Sequence, residues 1–195
     1  QAVLGNISQG LRALDEAVAS YNPDLDHVRD FAIGNDPGVI MRSVSGLLLW
    51  MEGSLDRSLE RSEDAISLAT RLNHPYSMAY AYFHNSLLHL WRREHALVVE
   101  RARSAIEIAE KFDYQVWKAV GTCLHGAALA HMGKLDEGLP QVVNGLQLYH
   151  GLNTPPIFWP ILLLIQAEVL GIAGEPGQGL AAIDEATGIL GVDPK

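Results

Sequence analysis

The sequence contains a single cysteine, Cys123, so it can form no internal disulfide and no zinc or iron–sulfur site with several cysteine ligands. It is also poor in basic residues, because 14 lysines and arginines stand against 23 acidic residues and leave a formal net charge of −9. That balance disfavours nucleic acid and anionic membranes as direct partners, since both require a basic surface. The longest uninterrupted apolar run, Met78 to Phe83, is far shorter than the roughly 20 residues that span a bilayer. We therefore expect a protein of the reducing cytoplasm, without a membrane partner.

What the 195 residues do contain is an internal repeat of about 40 residues. A segment with glycine at its first position and leucine at its seventh occurs at Gly53–Leu59, Gly133–Leu139 and Gly174–Leu180, with a further copy at Gly5–Leu11. A copy without its glycine begins at Arg93. Apolar residues then recur at three- and four-residue steps, which predicts an amphipathic helix after each turn.

A second, more apolar helix is predicted before each turn, with a small residue seven positions upstream of the turn. These small residues are Gly46, Ser86, Gly126 and Ala167. Small residues at fixed contact points let two antiparallel helices approach closely, as in the tetratricopeptide repeat. The sequence therefore predicts an all-α fold: an α-solenoid of antiparallel, tetratricopeptide-like helix pairs with a period of about 40 residues, wound as a right-handed superhelix.

The repeats predict one helical repeat domain over residues 1–195. It divides into a half repeat 1–21, a connection 22–36, and repeats 37–73, 74–113, 114–153 and 154–192. The first helices are predicted at 37–52, 75–92, 114–132 and 156–173, and the second helices at 7–21, 54–72, 94–112, 134–151 and 177–190. Asp36, the segment 73–75, Asp113 and Thr154 are predicted to cap the first helices.

The first copy has a second helix but no first helix, and a repeat cannot bury its apolar face alone. We therefore expect the chain to be a fragment of a longer protein that continues upstream of Gln1. The apolar edge at Ala2–Leu4 would then be available for pairing with a second copy as a homodimer.

No catalytic or metal-binding constellation is found in the sequence, so we expect neither enzyme activity nor a cofactor in this segment. Gly133-Lys134 lacks the spacing of a phosphate loop, and His125 and His131 do not follow the i, i+4 spacing of metal ligands on a helix. Cys123 and His125 lie two positions apart on a predicted helix and point to nearly opposite sides. A buried, unreactive cysteine is the simpler interpretation.

The most informative surface is the concave groove that the first helices would line. We predict that it includes Met51, Tyr80, Phe83, Leu87, Trp91, Cys123, His131 and Glu168. This lining is mostly apolar and aromatic and lacks the basic ladder that would clamp a peptide carboxylate. Such a groove suits an apolar peptide, a neighbouring domain or a small molecule. The alternative interpretation is that much of the same stripe is core.

Several segments together resemble the C-terminal region of large bacterial signalling proteins. In those proteins a nucleotide cyclase or DNA-binding domain is joined to a regulatory ATPase and a tetratricopeptide-like array. The similarity covers about residues 10–190 and is carried by Tyr21–Pro23, His27, Gly34–Val39, Leu49–Trp50, His74–Ala79, Arg92–Glu94, Phe112, Trp117–Ala119, Gly126–Gly133 and Glu137–Gly138. The family has a glycine where this sequence has Arg93, which leaves the geometry of that one turn open.

The resemblance implies a non-catalytic regulatory or protein-interaction module of a signalling ATPase, cyclase or transcriptional regulator. Its partner would be an upstream domain of the same chain or another signalling protein. The alternative is a sensor domain that binds a small-molecule effector in the groove, with Tyr80, Phe83, Trp91 and His131 forming the pocket.

Overall fold

The structure is a computed structural model, and it describes residues 6–26 and 34–191. Over these ranges the chain forms ten helices and no strand. The helices are α1 (Ile7–Ser20), α2 (Pro23–Asp26), α3 (Pro37–Met51), α4 (Leu55–Arg71), α5 (Pro75–Trp91), α6 (His95–Phe112), α7 (Gln115–His131), α8 (Leu135–His150), α9 (Trp159–Ile172) and α10 (Pro176–Leu190). None of the helices in the described ranges is long and apolar enough to cross a membrane.

The predicted alternation of first and second helices is confirmed. The second helices α4, α6, α8 and α10 begin at Leu55, His95, Leu135 and Pro176, so they are spaced by 40 or 41 residues. A three-residue turn joins each of α3, α5, α7 and α9 to the helix that follows it. The apolar edge at Ala2–Leu4 and the His27 position lie outside the described residues.

Two of the four predicted N-caps are correct and two are wrong. The Asp36 carboxylate caps α3 by accepting from the Val39 N–H at 3.0 Å, and His74 caps α5 through its ring nitrogen. Asp113 instead ends α6 in the left-handed conformation, at φ 59°. Thr154 lies before Phe158, the N-cap of α9, because an irregular eight-residue segment separates α8 from α9.

The chain divides into two compact units, Gln1–Arg92 and Arg93–Lys195. The division falls in the turn between α5 and α6, inside the segment 74–113 that the sequence assigns to one repeat. In the first unit α3 packs against α1, α4 and α5. At the α3–α4 contact the Ser58 hydroxyl donates to the Gly46 carbonyl at 2.8 Å, and at the α4–α5 contact the buried Asn85 amide donates to the Ser62 hydroxyl at 3.0 Å.

In the second unit the backbones of α7 and α8 approach so closely that there is no room for a side chain at three glycines. A Cβ on Gly126 would lie 2.6 Å from the Gly138 carbonyl oxygen, and a Cβ on Gly138 would lie 2.5 Å from the Gly126 carbonyl oxygen. A Cβ on Gly145 would lie 2.7 Å from the Cys123 backbone nitrogen. The paired positions run in opposite directions along the two helices, so α7 and α8 form an antiparallel hairpin, and the contact predicted at Gly126 is present.

The three-residue turns share a residue with positive φ at their centre. Gly53, Gly133 and Gly174 have φ values of 87°, 81° and 77°, and Arg93 takes the same role with φ 59°. A residue with a Cβ is disfavoured by about 1–2 kcal/mol in this left-handed region. The turn at Arg93 therefore keeps the geometry of its counterparts at an energetic cost.

We expect the substitution Arg93→Gly to raise the free energy of unfolding by about 0.5–1 kcal/mol, because relief of the strained φ outweighs the added freedom of the unfolded chain. Urea unfolding followed by circular dichroism measures the change. The reciprocal variant Gly133→Arg should lower stability by a similar amount, since nothing lies within 4 Å of a Cβ at that position and only φ matters. A loss of stability in Arg93→Gly would show that the arginine side chain contributes more than its backbone strain costs.

Candidate functional site

Four of the eight residues predicted to line the groove have buried side chains. They are Tyr80, Phe83, Leu87 and Cys123, of which Phe83 and Cys123 have almost no accessible surface. Burial raises the pKa of the Cys123 thiol and of the Tyr80 phenol far above their ordinary values, since a charged form would lose its hydration. These side chains are packed in the interior, and the thiol stays protonated and unreactive at neutral pH.

The other four predicted residues keep accessible surface, in two different units. Met51, at the end of α3, is 55% exposed and Trp91, at the end of α5, is partly exposed. His131, at the end of α7, is partly exposed, and Glu168 of α9 is exposed. Among the eight, the structure records one direct polar contact, which joins the His131 Nε2 atom to the Glu168 Oε1 atom at 3.3 Å.

A second imidazole completes this cluster at the first residue of α6. The rings of His95 and His131 are stacked, with centroids 4.4 Å apart and planes 2° from parallel. The pKa of His95 is lowered, first by burial and then by the neighbouring His131 and Arg93, while Glu168 acts in the opposite direction. No group of three histidine, cysteine or acidic residues in the described ranges has the geometry to hold a metal ion. The cluster is a polar surface that offers hydrogen-bonding groups and one carboxylate.

Beside this cluster, α9 presents a stripe of exposed residues that we call the α9 stripe: Leu164, Glu168 and Ile172. The three are spaced i, i+4 and i+8, so they lie on one face of the helix. Leu164 is 41% and Ile172 is 42% exposed, which is high for large aliphatic side chains. Met132, the residue after His131, is 48% exposed. Exposed aliphatic residues on one helix face can mark a surface that another protein segment covers.

A separate concave site lies between α8, α9 and α10 of the second unit. It has a volume of about 400 Å³, and we call it the Trp159 cleft. Its lining residues are Val143, Leu146, Gln147, His150, Gly151, Trp159, Leu163, Gln166 and Glu185. A neighbouring cavity of about 280 Å³ shares His150 and Trp159. Both volumes are near the lower end of the roughly 300–1,000 Å³ typical of small-molecule sites.

One buried hydroxyl organises the segment 151–158 at the edge of this cleft. The Tyr149 hydroxyl donates to the Pro155 carbonyl at 3.0 Å and accepts from the Phe158 N–H at 3.2 Å. The Trp159 ring lies next in sequence, with its centroid 5.5 Å from that of His150, and its Nε1–H donates to the Glu185 Oε1 atom at 2.9 Å. This network sets the position of the indole between α8 and α10.

The Trp159 cleft was not predicted from the sequence, because the repeat pattern marks the inner stripe of the first helices and the cleft lies outside that stripe. A signal was present at residues 151–160. There the connection is longer than those at 72–74 and 113–114, and it combines three prolines, Pro155, Pro156 and Pro160, with the aromatic pair Phe158 and Trp159. Long connections with their own side-chain packing often carry binding sites.

Comparison with protein-family models gives no match. Over 155 residues the chain is 25% identical to an uncharacterized protein of Rhizobium meliloti (strain 1021), and the match covers 80% of this chain. The chain spans about 15% of the length of that relative.

Among solved structures, BtubC (BKLC) from P. vanneervenii is similar with a TM-score of 0.62 at 15% identity, over 98% of this chain and 77% of that one. MamA (MSR-1 C2) gives a TM-score of 0.46 at 17% identity, over 92% of this chain and 91% of that one. The likeness to BtubC agrees with the helix pattern, and the fold is an all-α, tetratricopeptide-like array of helix pairs.

Proposed function

We propose that this chain is a non-catalytic regulatory module that binds a protein segment, and that it serves a bacterial signalling ATPase, cyclase or transcriptional regulator. The helical-repeat fold supports an interaction role, because stacked helix pairs present extended binding surfaces. The protonated, buried Cys123 thiol supports a non-catalytic role. The signalling context rests on the resemblance of residues 10–190 to the C-terminal arrays of such proteins.

The observation that carries this proposal is the α9 stripe beside His131. Leu164 and Ile172 offer apolar contacts, and Glu168 lies between them with 45% of its side chain exposed. The partner that fits is an apolar segment with a basic side chain, since Glu168 and the net charge of −9 both favour a cationic group. We place that segment in an upstream domain of the parent protein or in another signalling protein.

We expect the variant Leu164→Glu to weaken binding of the upstream region of the parent protein at least 10-fold, about 1.4 kcal/mol. The carboxylate would face the apolar part of the partner without a matching charge. Isothermal titration calorimetry of this chain with the separately expressed upstream region measures the effect. A second measurement is whether the two fragments co-purify after the full-length protein is cleaved between them.

The matched control is Leu180→Glu, which adds the same charge to another exposed leucine, on α10. It should bind like the parent chain, and both variants should retain the parental circular dichroism. The proposed surface would be contradicted if the parent chain did not bind the upstream region in either assay. It would also be contradicted if Leu164→Glu and Leu180→Glu lost the same amount of affinity.

A small-molecule effector domain is the second candidate function, and the observation that favours it is the Trp159 cleft. The groove pocket first predicted for an effector contains Tyr80 and Phe83, whose side chains are buried. The Trp159 cleft instead offers open volume beside an indole and several polar groups. A thermal-shift screen of metabolites separates the candidates, since a ligand at about 100 times its dissociation constant adds about 2.7 kcal/mol of stability. Uniformly flat melting curves would favour the protein partner.

A further inference from the structure

The Trp159 cleft contains polar groups that the protein itself leaves without hydrogen bonds. The side-chain amides of Gln147 and Gln166 and the imidazole of His150 all line the cleft. Within the described residues none of the three side chains makes a hydrogen bond to protein, although His150 has its ring against Trp159. Convergent polar groups of this kind, above an apolar floor, are how small-molecule sites orient their ligands.

The charges around the cleft favour a cation. Glu185 is the one carboxylate among the lining residues, and neither lysine nor arginine lines this part of the described chain. The indole N–H holds the Glu185 Oε1 atom at 2.9 Å, and the Oε2 atom has no protein partner in the described ranges. The carboxylate is thus fixed in position while one of its oxygens stays available to a ligand.

The indole adds a second feature that attracts a cation. Its N–H is already satisfied by Glu185, so the face of the ring, which carries negative electrostatic potential, is what a ligand can use. Trp159 borders both the 400 Å³ cleft and the neighbouring 280 Å³ cavity, and the rings of Tyr149 and His150 lie beside the indole at centroid distances of 6.2 Å and 5.5 Å. Tryptophan is the best of the aromatic side chains for binding a cation.

We propose that the Trp159 cleft binds an organic cation, an ammonium or guanidinium group with a short apolar portion. The cation lies against the face of Trp159 and pairs with Glu185. The apolar portion contacts Leu146 and Leu163, and Gln147 or Gln166 accepts a hydrogen bond from the ligand N–H groups. This inference rests on the second candidate function and is independent of the α9 stripe, because the two surfaces share no residue.

The test titrates the full chain with benzamidinium and with its neutral analogue benzamide, following the Trp159 indole N–H resonance by NMR. We expect benzamidinium to shift this resonance saturably and to bind at least 10-fold tighter than benzamide. The variant Glu185→Gln keeps the acceptor for the indole N–H and removes the charge, so it should abolish the preference for benzamidinium. Glu107→Gln removes an exposed carboxylate from α6, outside both the cleft and the α9 stripe, and should leave the preference unchanged.

A second variant, Trp159→Phe, keeps an aromatic face and should weaken benzamidinium binding less than Glu185→Gln does, as measured by calorimetry. A blocked tripeptide with a central arginine is the second arm of the titration. Tighter binding of the peptide than of benzamidinium would assign the cation to a partner protein, and the reverse would assign it to a free amine or amidine.

The outcomes that overturn the inference are distinct from those that overturn the proposed functions. Equal affinity for benzamide and benzamidinium would leave a small-molecule site without preference for a cation. Absence of saturable binding by either probe would remove both the cation site and the effector role of the cleft. Neither result would affect the loss of protein binding expected for Leu164→Glu.

Discussion

Replacement of Gly126 by alanine is expected to lower the free energy of unfolding by about 3 kcal/mol, at the upper end of the usual overpacking range. The added methyl would lie 2.6 Å from the Gly138 carbonyl oxygen and 2.8 Å from the Val142 backbone nitrogen. Both are main-chain atoms, so no side-chain rotation can relieve the clash, and α7 must separate from α8. Gly126→Leu should be at least as destabilising. Urea unfolding monitored by circular dichroism gives the free-energy difference.

Two other glycines make the comparison quantitative. Gly171→Ala, in α9, places a methyl where nothing lies within 4 Å and should stabilise the chain by up to about 1 kcal/mol, the difference in helix propensity. Gly46→Ala places one 3.3 Å from the Ser58 carbonyl oxygen, so its effect should fall between the other two. The same stability change at all three glycines would mean that backbone proximity does not decide the outcome and that the helix register is wrong.

Acidification from pH 7.5 to pH 5 should destabilise the first unit by about 2 kcal/mol through His84 alone. Its imidazole is buried, and burial lowers the pKa of His84 from 6.5 to about 4. Its Nδ1–H donates to the Tyr80 carbonyl at 2.9 Å, and the rings of Tyr80 and Phe83 lie beside it. In the unfolded chain His84 binds a proton below about pH 6.5, and in the folded chain it does so only near pH 4. The folded state therefore loses stability as the pH is lowered from about 6.5 to about 4.

The variant His84→Leu should lose this part of the pH dependence, as measured by urea unfolding at several pH values. The variant Leu49→Ala, in α3 of the same unit, is the control, because it removes buried surface without removing a titratable group or one of the rings of Tyr80 and Phe83 beside His84. It should be less stable than the parent chain at every pH and keep the parental slope. A parental slope in His84→Leu would show that other groups control acid unfolding.

The helix array could be predicted because its two markers are local. A turn centred on a residue with positive φ and a small residue seven positions earlier recur together, and both are visible as residue types at a 40-residue spacing. The turn at Arg93 lacks the marker glycine, but its position could still be predicted because it lies 40 residues from both Gly53 and Gly133. The cap at Thr154 could not be placed in the same way, because the path of residues 151–158 depends on side-chain contacts that the repeat does not encode, such as those of the Tyr149 hydroxyl with Pro155 and Phe158.

The division between groove and core could not be read from the same pattern. Tyr80, Phe83 and Leu87 are spaced like one apolar face of α5, and that spacing is the same whether the face is open or covered. Burial is decided by which helices pack around α5, and this is a property of the tertiary structure. His131 and Glu168 are in contact because both lie on first helices of adjacent repeats, α7 and α9.

The Trp159 cleft depends on residues that the repeat leaves unconstrained. The irregular connection 151–158 positions its indole, and its carboxylate belongs to Glu185 of α10. Periodicity carries no information on either. The local signal, three prolines with two aromatic residues, indicates an ordered connection and gives no indication of which side chains converge there.

The sequence of the eight-residue connection between α8 and α9 is less constrained than the sequences of the helices that it joins. The helices on either side are held by glycine contacts and by the 40-residue spacing, so they tolerate little change in sequence. The connection is anchored by one tyrosine hydroxyl, and its length and composition can vary without altering the helix register. A change in this segment would therefore shift the Trp159 indole relative to Glu185 and leave in place the helices that carry the rest of the cleft.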